Sequence, residues 1–234
     1  MNNNFYFYTY LFISPKKFII SAHNETDSKC VFRKEMDYEN NFSNIDFDKL
    51  IIFLDENIFE IEKKLKNFIK NVIVIIDDVN FSWIKLSMKK KNYGEFITTN
   101  DLKRLVGEAK NDCEKSIQQK KIIHLLIDNY LIDQKSFSNF PDGKRCDNYS
   151  IDIRFITLSE KYVEKLEQIL RKYQISIDQI IYAKYLYELF DKDNLDLFEM
   201  ANKVINNYNQ NEVKIVQMSQ KNKGFFEKFF EFFS

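Results

Sequence analysis

The sequence predicts a mixed α/β fold, because short apolar runs typical of β-strands are interspersed with longer stretches that have the apolar period of α-helices. Only four glycines and two prolines punctuate the 234 residues, so the element boundaries come from periodicity. With 44% apolar residues, the chain can bury the core of one large domain or of two small ones.

The first part of the chain predicts an antiparallel sheet followed by a crossover. Residues 5–13, 18–22 and 31–36 are short strand-like runs joined by polar turn segments. An amphipathic helix follows over residues 45–68. Residues 72–76 are an uninterrupted aliphatic run, which indicates a strand buried on both faces. This strand follows the helix as a crossover connection requires.

The central part reads as strand, helix, strand, strand, helix. Residues 83–88 alternate as a strand does, and Thr98-Thr99-Asn100-Asp101 is a strong helix start. Two further strands are predicted at residues 122–127 and 151–158. Ser159 begins a helix whose predicted inward residues are Val163, Leu166, Ile169 and Leu170.

The remaining chain predicts a return strand, two short helices and a final strand. The return strand is predicted at residues 175–181, which end in the apolar pair Ile180-Ile181. A helix carrying Leu186, Leu189 and Phe190 follows. A short helix is predicted near residues 195–205, and a last strand at residues 213–218.

The chain ends in a segment with six phenylalanines. At about 100° per residue they fall on one arc of roughly 160°, with Glu227, Lys228 and Glu231 on the other side. We expect an amphipathic helix over residues 225–233 that binds a membrane interface. The six membrane-binding residues are Phe225, Phe226, Phe229, Phe230, Phe232 and Phe233.

The energetics of this tail favour weak, reversible attachment. Burying six phenylalanines gives on the order of 10 to 15 kcal/mol, and ordering about ten residues costs a similar amount. The tail has little net charge, so we expect it to bind an anionic or a neutral bilayer. Self-association is a natural companion hypothesis, because two tails bind better than one. The alternatives are docking on the protein's own surface and insertion into a partner's groove.

The bulk composition excludes several functions. The 35 basic and 35 acidic residues cancel, which argues against nucleic-acid binding. Cys30, Cys113 and Cys146 have no close spacing, which favours free thiols in a reducing compartment over a zinc site. The apolar start lacks a basic leader and is too short to span a bilayer, so we expect a cytoplasmic protein. His23 and His124 are expected to be structural.

Four segments in order resemble the bacterial actin-like cell-division protein FtsA. Residues 122–133, with a strand containing His124 and a following Tyr130 and Asp133, lead into the turn Pro141-Asp142-Gly143 and a strand ending at residues 155–157. The helix start at residues 97–106 is similar to that of the family's inserted 1C subdomain, a strand-helix-strand-strand module called SHS2. Residues 175–181 resemble the re-entry into the actin-like subdomain 1A, and the tail resembles the family's membrane-targeting helix.

The resemblance implies three parts. Residues 1–80 and 175–218 would form a partial actin-like (RNase H-like) subdomain, residues 81–174 the SHS2 module, and residues 219–234 a linker and membrane-targeting helix. It also implies a peripheral protein on the cytoplasmic face of the inner membrane. Its partners would be other division proteins, bound through the SHS2 module.

Departures from the family argue against an enzyme. Where FtsA would place a phosphate loop, this chain has Phe12-Ile13-Ser14-Pro15, without the acid that works through magnesium and without the glycine that lets backbone N–H groups approach phosphate. The second actin-like half, with the remaining nucleotide pocket, has no counterpart. We therefore expect no catalytic residue, no cofactor, no metal and no nucleotide. The function is interpreted as a non-enzymatic division adaptor, with a PilM-like adaptor of type IV pilus assembly as the alternative.

The expected partner surface lies in residues 130–149. This stretch is the longest irregular segment of an otherwise regular module, and loops on rigid scaffolds tend to carry binding. The residues expected to contribute are Tyr130, Asp133, Lys144 and Arg145.

Overall fold

The fold is mixed α/β with two separate sheets, as the sequence predicts. The computed structural model describes residues 7–39 and 44–214. Their elements in chain order are β1 (Phe7–Ile13), β2 (Lys17–Asn24), β3 (Cys30–Asp37), α1 (Phe47–Leu65), β4 (Asn71–Ile76), β5 (Ser82–Lys91), α2 (Thr99–Ser116), β6 (Lys120–Ile132), β7 (Lys135–Phe137), β8 (Asn148–Ser159), α3 (Glu160–Arg171), β9 (Ser176–Tyr182), α4 (Ala183–Leu189) and α5 (Leu197–Ile205).

The described residues divide into two compact units. The first unit comprises the chain up to residue 81 together with residues 159–208, and the second comprises residues 82–158 with residues 209–214. The sequence-based division differs at two places. Helix α3 lies in the first unit, whereas the sequence assigned it to the inserted module. Residues 209–214 lie in the second unit, whereas the sequence assigned them to the actin-like part.

The first unit is built on a five-stranded sheet in the order β3-β2-β1-β4-β9. Strands β1, β2 and β3 form the expected antiparallel meander. Strand β4 pairs in parallel with β1 and with β9. All residues of β4 after Asn71 are buried, which confirms the prediction of a strand covered on both faces.

Helix α1 makes the crossover between β3 and β4. The Asp46 side chain accepts hydrogen bonds from the backbone N–H groups of Asp48 and Lys49, which satisfies donors that the first turn leaves free. The helix ends at Lys66, which adopts the left-handed conformation with φ of 53°. Its apolar stripe is buried against the sheet side of the unit, as the periodicity predicts; the buried residues are Leu50, Phe53, Leu54, Asn57, Ile58 and Ile61.

The second unit has the predicted order of strand, helix, strand and strand. Its sheet runs β5-β8-β6-β7, and β7 is a three-residue strand that the sequence did not predict. Helix α2 begins with a capping box in which Thr98 and Asp101 bond each other's backbone N–H groups. The core of this unit joins the buried face of α2 to apolar residues of the sheet; it includes Leu102, Leu105, Ala109, Leu125, Ile127, Ile151, Ile153 and Phe155.

The last described segment pairs with the second sheet. The N–H of Val213 donates to the carbonyl of Leu125 at 2.8 Å, and the N–H of Ile127 donates to the carbonyl of Asn211 at 2.9 Å. The strand predicted for residues 213–218 is thus observed only as this short pairing, and its remainder lies outside the described residues. The predicted helix over residues 225–233 also lies outside them. Within the described part of the chain, no helix is both long and apolar enough to span a membrane.

Two phenylalanines of α1 allow the core of the first unit to be tested with a matched control. Phe53 is 1% exposed, and Phe59 on the same helix is 73% exposed. We expect Phe53→Ala to lower the free energy of unfolding by roughly 3 to 5 kcal/mol, because it leaves a cavity in a packed core. The same truncation at Phe59 should change it by less than about 0.5 kcal/mol. Urea unfolding of both variants measures the difference, and equal losses would contradict the burial of this face.

Candidate functional site

The hairpin region, residues 130–149, begins with a tight turn between β6 and β7. Asp133 and Gln134 form this turn with positive φ angles of 43° and 69°. Two consecutive positive φ angles are the signature of a type I′ turn, whose twist matches that of the flanking strands. Tyr130 therefore pairs with Phe137, and Ile132 with Lys135, across a regular hairpin.

Asp133 fixes the hairpin to the start of β8. Its carboxylate accepts hydrogen bonds from the backbone N–H groups of Asp147 at 3.1 Å and Asn148 at 2.9 Å. Its own N–H donates to the carbonyl of Asn148 at 3.0 Å. These contacts use the carboxylate to satisfy backbone donors, so Asp133 positions the hairpin region.

Tyr130 lies in the core of the second unit, with a side chain that is 2% exposed. Its hydroxyl donates to the side-chain carbonyl of Asn211 at 3.2 Å, and its ring lies 5.7 Å from that of Phe140. Burial raises the pKa of Tyr130 to about 12. The structure thus removes Tyr130 from the exposed surface that the sequence assigned to it.

Lys144 and Arg145 lie over aromatic rings on the surface. The Lys144 ammonium is 4.2 Å from the centre of the Phe137 ring, and the Arg145 guanidinium is 4.6 Å from that of Phe96. Phe96 is 51% exposed, and nearby Tyr93 is 80% exposed. We call Tyr93, Phe96, Phe137, Lys144 and Arg145 the cation–aromatic surface.

Backbone hydrogen bonds hold the two halves of this surface together. Residues 92–97 run beside residues 143–147: the N–H of Ile97 donates to the carbonyl of Lys144 at 2.9 Å, and that of Gly143 donates to the carbonyl of Ile97 at 2.8 Å. Gly143 has a φ of 70°, a conformation that glycine adopts at little cost. The cations and rings therefore lie on a fixed frame.

The aromatic members of the surface escaped the sequence analysis. The sequence analysis assigned no binding role to Tyr93 or Phe96. The signal that could have found them is an aromatic residue beside a glycine turn, where an apolar side chain has no helical or strand face to occupy. A single antiparallel bridge pairs Phe96 with Arg145, which lie 49 positions apart in the sequence.

The turn between β1 and β2 uses its own backbone donors. The N–H of Ser14 donates to the carbonyl of Lys17 at 3.0 Å, and the N–H of Lys17 donates to the Ser14 hydroxyl at 2.9 Å. The N–H of Lys16 also faces this hydroxyl at 3.4 Å. A phosphate loop needs such N–H groups to point outward at the anion.

Asp77 and Asp78 lie at the carboxyl end of β4, where parallel sheets commonly bind ligands. The buried Asp78 carboxylate accepts hydrogen bonds from the N–H of Asn80 at 2.8 Å and from the hydroxyl of Tyr162 at 3.4 Å. Partial desolvation and the neighbouring Asp78 raise the pKa of Asp77, although the residue is exposed. The Asp78 carboxylate thus stabilises the turn that follows β4.

Both histidines are buried and have polar partners. The Nε2 of His23 lies 2.8 Å from the Ser21 hydroxyl, and the Nδ1 of His124 lies 2.7 Å from a Glu212 carboxylate oxygen. Among residues 7–39 and 44–214, no group of three or more His, Cys, Asp or Glu side chains is arranged to hold a metal ion.

Comparison with known proteins gives structural neighbours alone. No protein-family model and no curated protein matches the chain. The "PilM-PilN type IV pilus biogenesis complex" is similar with a TM-score of 0.48 at 10% identity, over 79% of this chain and 50% of that one. The cytoplasmic domain of EpsL, an inner-membrane component of the type II secretion system of Vibrio cholerae, gives 0.40 at 5% identity, over 77% and 59%.

A third neighbour comes from Bacteroides thetaiotaomicron. It is a protein of unknown function with an actin-like ATPase fold, and it gives a TM-score of 0.34 at 13% identity over 81% of this chain and 57% of that one. The chain thus spans between 50% and 59% of the length of these three neighbours.

The buried hydroxyl of Tyr130 predicts a loss of stability in alkali. The pKa of this hydroxyl is about 12 in the folded chain and about 10 in the unfolded chain. The contribution of the protonated hydroxyl to the free energy of unfolding is therefore complete below pH 10 and is lost as the pH rises through 12. We expect Tyr130→Phe, which cannot ionise, to reduce this loss by roughly 1 to 3 kcal/mol. Urea unfolding across that pH range measures it. The exposed Tyr93→Phe is the control, and identical alkaline profiles for the wild type and Tyr130→Phe would contradict the prediction.

Proposed function

We propose that this protein is a non-enzymatic adaptor of bacterial cell division that binds partner proteins through the cation–aromatic surface. The observation that carries this proposal is the pairing of two exposed cations with two aromatic rings on one fixed frame. A few residues dominate the binding energy of protein interfaces, and Trp, Tyr and Arg are enriched among them. A rigid frame also reduces the conformational entropy that is lost when a partner binds.

We favour the cation–aromatic surface over the edge strand β5 of the same sheet as the site that binds a partner. Strand β5 lies at that edge and pairs with β8 along all ten of its residues. Its outward side chains include Lys85, Lys89 and Lys91, which are exposed. Lysines on an edge strand commonly prevent the addition of another strand, so we favour the hairpin side of the module as the partner site.

A non-enzymatic role is supported by how the polar groups are used. The Ser14 turn binds its own N–H groups, and the buried Asp78, His23 and His124 bond to neighbours within the fold. A catalytic centre instead needs several titratable groups that converge on open space. The division role itself rests on the resemblance to FtsA, and a PilM-like role in pilus assembly is the alternative.

The partner surface can be tested by photo-cross-linking in the native host. A benzophenone side chain in place of Tyr93 should form cross-links to division proteins, identified by mass spectrometry. Lys144→Glu with Arg145→Glu should lower their yield about 5- to 30-fold, equivalent to roughly 1 to 2 kcal/mol for two cation–aromatic contacts. The melting temperature should not change, because both cations lie on the surface.

Lys89→Glu with Lys91→Glu is the matched control, since it makes the same charge change on β5 of the same unit. This control should keep the cross-links. Cross-links to pilus-assembly proteins would replace the division role by the alternative. Cross-links that survive the Lys144 and Arg145 changes would remove the cation–aromatic surface from the proposal.

We further propose that the six terminal phenylalanines attach the adaptor to the cytoplasmic face of the inner membrane. Phe229→Glu with Phe230→Glu should remove roughly 3 to 6 kcal/mol of apolar burial and abolish co-sedimentation with phosphatidylcholine vesicles. Glu227→Gln with Glu231→Gln, on the polar side of the predicted helix, should retain binding. Raising the salt concentration should have little effect, because the tail has little net charge. A lower melting temperature of the phenylalanine variant would instead show that the tail packs on the protein itself.

A further inference from the structure

Two segments of the first unit carry cations and no acidic residues. Residues 63–71 contain four lysines, residues 171–176 contain an arginine and a lysine, and neither range contains Asp or Glu. The whole chain has 35 basic and 35 acidic residues, so this excess of positive charge is local. We call the two segments the basic end; its cations are Lys63, Lys64, Lys66, Lys70, Arg171 and Lys172.

The sheet of the first unit brings the two segments together. Helices α1 and α3 end in them, and strands β4 and β9 begin in them. The two strands are parallel, with Asn71 opposite Ser176, and the N–H of Ser176 donates to the carbonyl of Lys70 at 2.8 Å. Both segments therefore lie at the same end of the sheet, where β4 and β9 start.

Backbone contacts fix the turn in each segment. Lys66 and Gln174 adopt the left-handed conformation, with φ angles of 53° and 62°. The N–H of Lys66 donates to the carbonyl of Glu62, and the N–H of Ile175 donates to the carbonyl of Leu170 at 3.1 Å. These bonds satisfy carbonyl groups that the ends of α1 and α3 leave free, so the cations lie on an ordered backbone.

The six cations of the basic end are exposed and unpaired. Among residues 7–39 and 44–214, none of their side chains has an ion-pair or hydrogen-bond partner. Two carboxylates that contact the basic end are engaged: Glu62 accepts from the N–H of Ile69 at 3.0 Å, and Asp55 accepts from the Tyr173 hydroxyl at 2.7 Å. The ammonium and guanidinium groups are therefore available to an anionic partner.

An exposed phenylalanine lies among these cations. Phe68 is 78% exposed. The helix macrodipole favours cations in a last turn, which accounts for Lys63, Lys64 and Arg171. It does not account for Phe68 or Lys70, which follow α1. Exposed aromatic side chains beside lysines are typical of surfaces that lie on a membrane interface.

We propose that the basic end binds the surface of an anionic lipid bilayer. Each cation close to such a surface raises the affinity by a factor of about five, and the ring of Phe68 enters the headgroup region. Five of the six cations are lysines, which are depleted at protein–protein interfaces, so a lipid surface fits better than an acidic protein. A weak apolar anchor needs a second signal of this kind for stable attachment. The inference goes beyond the terminal phenylalanines of the proposed function, and its test does not depend on them.

The test uses the full chain with Phe229→Glu and Phe230→Glu, so that the terminal phenylalanines do not dominate. At low salt, its partition coefficient should be at least about tenfold higher on vesicles of phosphatidylcholine with phosphatidylserine than on phosphatidylcholine alone, measured by co-sedimentation. Physiological salt should reduce this preference, because it screens the surface potential. Neutral vesicles offer no surface charge, so the salt experiment on the tail is unaffected.

Lys66→Glu with Lys70→Glu, added to that chain, should abolish the preference for anionic vesicles. Phe68→Ala should weaken binding to them roughly fivefold, because the apolar burial of the ring is lost. The matched control is Lys89→Glu with Lys91→Glu, which makes the same charge change on exposed lysines of the second unit and should keep the preference. Melting temperatures should not change, because all of these side chains are exposed.

Three results would overturn the proposal. The first is equal binding to neutral and anionic vesicles. The second is a preference for anionic vesicles that survives the Lys66 and Lys70 changes. The third is an equal loss in the Lys89 and Lys91 control, since the effect would then come from net charge and not from the basic end. The role of the terminal phenylalanines fails separately, through absent binding of the wild type to neutral vesicles.

Discussion

The burial of β4 is the constraint on which the first unit depends. Its aliphatic residues pair with β1 on one side and β9 on the other, so strands far apart in sequence are held by one central element. A strand covered on both faces cannot present polar side chains without leaving them unsatisfied, which is why the run from Val72 to Ile76 is uniformly apolar. Charged residues reappear only at Asp77, where the strand ends and solvent is accessible.

The second unit is organised by side chains and turns that satisfy backbone groups. Asp133 receives two N–H groups at the start of β8, and Thr98 with Asp101 closes the first turn of α2. The carbonyl of Lys144 and the N–H of Gly143 are both bonded to Ile97. A long connection can be rigid when its polar groups are satisfied in this way, and rigidity makes it suitable for presenting exposed cations and rings.

The proposed partner surface combines charge with apolar area. The cation–aromatic surface consists of exposed groups on a fixed frame, where a partner gains apolar contact and charge at once.

The sequence by itself determined the class of fold and most of its elements. The periodicity located α1, β4 and the inward face of α3, whose four predicted residues are the four that are buried. Capping chemistry located the start of α2 at Thr98. These features could be read because they are local: each depends on residues within a few positions of one another.

Only the tertiary structure decided the features that join distant residues. It buried Tyr130 against Asn211, paired residues 211–213 with β6, and brought Phe96 beside Arg145. It also placed Cys30 next to Ser21 through a one-residue bulge that no composition signals. A strand's pattern shows which of its faces is apolar, but its register and its neighbours follow from the packing of the whole unit, because a shift of one residue exchanges the two faces.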